Sequence, residues 1–295
     1  MNILISYRHF PVAIGRYIHW ALEMLGHRVM SAGPYSNGTI PWGPKFYYKD
    51  HKFPPTVETP DVERFPLSVV LEKLPVQPDI VIQAGDVFYL EGKSPVKNII
   101  IATDPHAVDY HPRLMYADAF VSMQHHYALQ YPNAHWMPYA YDQNIHVKMD
   151  KKILCDVCFC GLQYSHRVET VDKMREHGLR VFSTLGLIYD DYVKAYASGK
   201  IAFSYSSKLD LPARFWEGMA MGKMVLQSRV PDLALLPFKD GVHYVGFSSK
   251  DEAVEKALYY STHDDEREKI AAMGNEMVLP HTYSARMKTL FDEIL

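Results

Sequence analysis

The chain has 295 residues and is 48% hydrophobic, enough for two domains of ordinary size, each with its own core. Its formal net charge of -3 excludes a global basic field that would draw the whole molecule onto nucleic acid or anionic lipid, while leaving local patches open. No apolar run approaches the ~18 residues that span a bilayer, and the opening MNILISYRHF lacks the features of a signal peptide. The three cysteines, Cys155, Cys158 and Cys160, give no secreted-type disulfide framework, so a cytoplasmic setting is expected.

In chain order, Asn2 to Tyr7 (NILISY) reads as a buried parallel strand, and Arg16 to Gly26 (RYIHWALEMLG) as an amphipathic helix closed by glycine. His27 to Ala32 supplies the next strand. Gly33 to Pro60, rich in proline, aromatics and lysines, reads as a long surface excursion. Within it Lys45, Lys49 and Lys52 alternate with Phe46, Tyr47, Tyr48 and Phe53, a pattern that also suits a stacking surface for nucleic acid. Further strands are expected at Asp79 to Gln83, Lys97 to Thr103 and Asp118 to Gln124. After a polar joint, Tyr139 to Asp150, the pattern restarts with strands at Asp156 to Gly161, Arg180 to Leu185, Lys200 to Tyr205, Lys223 to Gln227 and His243 to Phe247. Strands alternating with helical stretches imply βαβ units and parallel sheets. The expectation is an α/β protein of two Rossmann-like, doubly wound domains facing a cleft, residues 1–142 and 143–295.

Ligands of open parallel sheets bind at the carboxyl ends of the strands. In the first domain those ends run into Arg8 and His9, Gly85 and Asp86, Asp104 and His106, and His125 and His126. In the second they run into Gly161, Gly186, Ser206 to Lys208, and Ser228 and Arg229. The second set suits a phosphate. Asp210 is placed to cap a helix that Pro212 opens, with Arg214 in its first turn and Glu217 one turn later. Glu217 is the one carboxylate in LPARFWEGMAMGKMVLQS, where a fixed carboxylate can accept two hydrogen bonds from a vicinal diol such as a ribose. The alternative is a solvated surface pair between Glu217 and Arg214.

RFWEGMAMGKMVLQS, LLPFKDGVHYVGF, VCFCGLQYSHR and HWMPYAYDQNIH resemble the CgeB-like (spore-maturation) glycosyltransferases, nucleotide-sugar transferases of the type-B fold. The resemblance covers residues from about 100 to the end. It implies an N-terminal acceptor-binding domain, a C-terminal donor-binding domain, and a last helix packing back on the first domain. By the same resemblance Glu217 holds the nucleotide ribose, and Arg214 and Arg167 lie near the diphosphate, with Gly161, Gly186, Ser206, Lys208 and Asp210 around them. One position departs from the pattern: where type-B retaining transferases often carry a second glutamate, this chain has Leu209. The implied reaction moves a sugar from a nucleoside diphosphate sugar, a UDP-sugar first of all, to a hydroxyl acceptor, with no metal or other cofactor. An inverting enzyme would need a base, for which Asp86, Asp104 and His106 are the candidates.

The resemblance leaves the acceptor open among a polymer, a protein, a metabolite and a modified DNA base. A UDP-sugar epimerase or a non-catalytic nucleotide-sugar binder of the same fold is the alternative reading. Two metal-like patterns have plainer readings. The cysteines alternate along a strand and suit a buried core, and Asp104, His106, Asp109 and His111 suit a loop at a strand end as well as a hydrolase centre.

Overall fold

The computed structural model describes residues 1–40, 46–85 and 87–295, and the chain divides into two units. The first comprises Met1–Pro138 with Tyr283–Leu295, the second Tyr139–Thr282.

In the first unit, β1 (Asn2–Ser6) leads into α1 (Ile14–Met24) and β2 (Arg28–Gly33). Then come β3 (Val57–Glu58), β4 (Arg64–Pro66), α2 (Leu67–Lys73), β5 (Ile80–Gly85), β6 (Tyr89–Glu91) and β7 (Lys97–Ala102). Short helices α3 (His111–Leu114) and α4 (His125–Ala128) flank β8 (Ala119–Ser122), and β9 (His135–Trp136) ends the series. Seven of these strands form a parallel sheet in the order β3-β2-β1-β5-β7-β8-β9, while β4 and β6 pair separately. Strands β5 and β7 are almost wholly buried, which explains their near-continuous apolar sequence: helices cover both faces of a parallel sheet.

The second unit contains β10 (Cys155–Cys160), α5 (Ser165–Glu176), β11 (Val181–Thr184), α6 (Tyr189–Ala197), β12 (Gly199–Ser204), α7 (Arg214–Ala220) and β13 (Met224–Ser228). Strand β14 (Val245–Phe247), α8 (Lys250–Thr262) and α9 (Asp264–Val278) complete it. Its parallel sheet runs β11-β10-β12-β13-β14. Phe159, Phe203, Leu226 and Phe247 on its strands meet Val171 and Met174 of α5 and Ala253 and Ala257 of α8 in one core. The last helix, α10 (Tyr283–Ile294), belongs to the first unit: Tyr283 stacks on Tyr17 of α1 with ring centroids 5.6 Å apart.

Two doubly wound parallel units match the fold class expected from the strand rhythm. The excursion after β2 is less detached than its composition suggests. Val57 is buried and pairs with Ala32 as an edge strand, and Ser36 donates its N–H to the His9 carbonyl at 3.0 Å. Lys45 lies outside the described residues. Among the described residues no helix is long and apolar enough to cross a membrane.

Candidate functional site

Strand order reverses between β10 and β12 in the second unit, so the loops leaving those two strands diverge and open a crevice between them. These loops hold Gly161 and Ser206 to Asp210.

The first loop turns at Gly161, whose φ of 154° favours glycine. Its open side is filled by Arg214: a Cβ added at Gly161 would lie 2.1 Å from Nη2. The Arg214 Nε donates to the Cys160 carbonyl at 3.0 Å, and the guanidinium lies over the Phe159 ring at 4.8 Å. Nη1 is enclosed with no hydrogen-bond partner among the described residues. Burial works against this charge, but the surroundings, with the Glu217 carboxylate as the charged group among them, raise the pKa, so the guanidinium stays ionised.

The second loop is organised by Asp210. One buried carboxylate oxygen accepts from the Ser206 hydroxyl at 2.9 Å, the Ser207 N–H at 2.6 Å, the Ser207 hydroxyl at 2.7 Å and the Lys208 N–H at 2.7 Å. This corrects the expected helix cap. Helix α7 starts at Arg214 behind Ala213, which has no side-chain cap, because Asp210 is already committed to the loop before it. The fixed loop holds Leu209 in the left-handed region, φ 59°, with half its surface exposed.

Arg167 of α5 ties the two loops together. Its Nε and Nη2 donate to the Tyr205 carbonyl at 2.9 and 2.5 Å, and Nη1 donates to the Leu162 carbonyl at 3.1 Å. Burial, and then the charge of Arg214, push its pKa down to about 10. Its donors thus serve backbone carbonyls, a clamp where the sequence suggests a phosphate ligand. Gly186 lies beyond β11 with φ 91° and leads into α6.

Glu217 forms no ion pair with Arg214 among the described residues. Its Oε2 accepts from the Tyr192 hydroxyl of α6 at 2.6 Å, and His146 Nε2 lies 3.6 Å from Oε1. Only 13% of the glutamate side chain is exposed. Sequence reasoning singled out neither Tyr192 nor His146. The Asp142 to His146 turn, with its Asp and Asn, was the available signal for the latter.

In the first unit, Asp104 and His106 share the turn after β7. The Asp104 carbonyl accepts from the Ala107 and Val108 N–H groups, and its carboxylate from the Thr103 hydroxyl at 3.3 Å. His106 Nδ1 is enclosed with no hydrogen-bond partner among the described residues. Asp86 lies outside the described residues. Nearby, Tyr110 donates to the Gly85 carbonyl at 2.8 Å and Arg113 to the Val87 carbonyl at 3.0 Å. Asp109 and His111 bond to each other at 2.6 Å, and the cysteines are free and buried. Among the described residues no group of three such side chains is arranged to hold a metal ion.

Residues 159–292 match the family model described as glycosyl transferase-like. No curated protein matches the chain. Among solved structures, HepE of Anabaena in complex with UDP and glucose is similar at 11% identity and TM-score 0.68, over 99% of this chain and 98% of that one. Sucrose-phosphate synthase from Thermosynechococcus elongatus aligns at 13% identity and TM-score 0.59, over 100% of this chain and 99% of that one. An alpha-glucosyltransferase in complex with UDP-glucose and DNA containing an abasic site aligns at 9% identity and TM-score 0.61, over 99% and 98% of the two chains. These likenesses show the type-B glycosyltransferase fold, and with the family match they support a glycosyltransferase.

Proposed function

We propose that the protein transfers a sugar from a UDP-sugar to a hydroxyl acceptor, with the second unit as donor-binding domain and the first as acceptor-binding domain. The observation that carries this is the constellation at the β10/β12 switch point, where Gly161, Arg214 and the Asp210 loop adjoin within the glycosyl transferase-like stretch. A charged guanidinium on a glycine turn offers donors where a diphosphate leaving group gains negative charge, and the site is preorganised for it. Glu217 is the acceptor for the ribose diol. Arg167 acts here by fixing the two loops. Asp104 and His106 are the candidates for a base, His106 through Nδ1, which has no hydrogen-bond partner among the described residues. Two of the similar structures hold UDP-glucose or UDP with glucose, which supports the choice of UDP. The CgeB-like subtype, the cytoplasmic setting and independence from metal are parts of the same reading. The acceptor is a hydroxyl compound, and DNA, present in one neighbour, is one class to test.

The test is a thermal-shift panel of UDP-, GDP-, TDP- and CMP-sugars on the full chain, since a ligand of the native state raises the melting temperature by mass action. UDP-sugars should raise it, and Glu217→Ala should remove the rise. A panel in which no sugar nucleotide moves the melting temperature contradicts the proposal. With a working acceptor, turnover should persist in EDTA. Loss that a divalent metal restores would overturn the metal-independent part.

A further inference from the structure

Two side chains flank Glu217, the buried His146 and the half-buried Tyr192, and neither belongs to α7. Tyr192 donates its hydroxyl to Oε2 at 2.6 Å, and its burial and the glutamate's charge keep that hydroxyl protonated, its pKa raised well above the usual tyrosine value. His146 is set by its own turn: the Asp142 N–H donates to Nδ1 at 3.1 Å, which leaves the ring proton on Nε2, 3.6 Å from Oε1. That turn is itself tied, with the Asp142 carbonyl accepting from the Ile145 and His146 N–H groups and its carboxylate accepting from the Asn144 N–H at 2.8 Å. The His146 and Tyr192 rings meet edge to face at 6.0 Å. An ionised carboxylate has about four lone-pair directions. Tyr192 fills one, and the His146 Nε2–H dipole faces the other oxygen at 3.6 Å, an electrostatic contact longer than a hydrogen bond.

We propose that Tyr192 and His146 are positioning residues that aim the Glu217 carboxylate at both hydroxyls of a ribose, so that the donor site selects ribonucleotides over 2′-deoxyribonucleotides. This rests on the reading of Glu217 as the ribose acceptor. A flexible glutamate could meet one hydroxyl in many rotamers, whereas two parallel bonds to a vicinal diol need a fixed carboxylate plane.

The experiment is calorimetric titration with UDP and 2′-deoxy-UDP of the parent, Glu217→Gln, Tyr192→Phe, His146→Ala and His146→Gln, each checked for a cooperative melt. The parent should prefer UDP about tenfold, the effect of one strong hydrogen bond, and Glu217→Gln should remove the preference. Tyr192→Phe and His146→Ala should cut it to about threefold, and His146→Gln, which keeps an N–H donor, should restore it. In turnover, Tyr192→Phe should raise the donor KM with kcat unchanged. A parent that does not discriminate overturns the reading of Glu217 itself. A parent that discriminates, with Tyr192→Phe and His146→Ala keeping its full ratio, overturns the positioning inference alone, as does an equal loss of both nucleotides. Tyr192→Phe removes only a hydroxyl and decides the matter if His146→Ala does not fold.

Discussion

The site depends on contacts that a single side chain makes or prevents, and Gly161 is the sharpest case. Any side chain there meets the left-handed φ of 154° and the Arg214 Nη2, 2.1 Å from the new Cβ. The arginine tip can move, so Gly161→Ala should leave the protein folded, at a cost of about 1–2 kcal/mol from backbone strain. With Arg214 displaced, UDP should bind at least tenfold more weakly while uridine binds as before. Titration of both ligands checks this, and equal weakening of the two would place Arg214 away from the diphosphate. The glycine and the lone Glu217 were legible as residues: one closes an apolar strand, the other interrupts an apolar helix. Their partners were not. Tyr192 lies 25 positions from Glu217 and His146 further still, and no local period relates such residues.

At the level of elements, the long apolar runs identified every strand at the centre of the two sheets. Strands β3, β4, β6 and β9 escaped because two or three residues carry no periodicity and are defined by their neighbours. The start of α7 was misplaced because Asp210 is as good a loop organiser as a helix cap. Two predictions belong here. Arg167→Ala removes donors from the half-buried Tyr205 and Leu162 carbonyls and should cost about 2–4 kcal/mol in urea denaturation. A loss under 1 kcal/mol would show that the loops hold without the clamp. The β1 to α1 region carries the second. His9 and His19 are buried, and desolvation first, then neighbouring charge, pushes each pKa down to about 3 from 6.5. Between those values the unfolded chain binds more protons than the folded one, so this stability is complete above pH 6.5 and declines as pH falls toward 3. At pH 5 the loss is about 2 kcal/mol per histidine, at 1.36 kcal/mol per unit. The carboxylate of Glu252, held near a pKa of about 2 first by Lys256, loses stability only below its ordinary 4.5, so between pH 6.5 and 5 the loss comes from histidines, chiefly the buried His9 and His19, with His27 and His243, also lowered by desolvation, adding to it. Denaturation curves at pH 7.5 and 5 should differ by several kcal/mol. Superimposable curves would mean that both rings take up protons without cost.

For the whole molecule, the longer strands and their parallel direction were readable from apolar rhythm, but strand order was not: it depends on which side each crossover helix packs. That order decides where the crevices open, and hence why Gly161 and Asp210, about fifty residues apart, come to adjoin. The last helix returns to the first unit, where Tyr283, Met287 and Leu290 are buried. Ending the chain at Thr282 should therefore destabilise the first unit by about 5 kcal/mol or more, from the apolar area uncovered. Calorimetric scanning would show an early separate transition, and an unchanged scan would contradict it.

On the proposed reading UDP lies at the switch point of the second unit, held by Glu217 and Arg214. A crystal structure of the protein with UDP tests it most directly. The ribose hydroxyls should lie within hydrogen-bond distance of the Glu217 carboxylate, and the diphosphate against Arg214 beside Gly161. A nucleotide bound elsewhere, or one bound there whose ribose leaves Glu217 untouched, would contradict it.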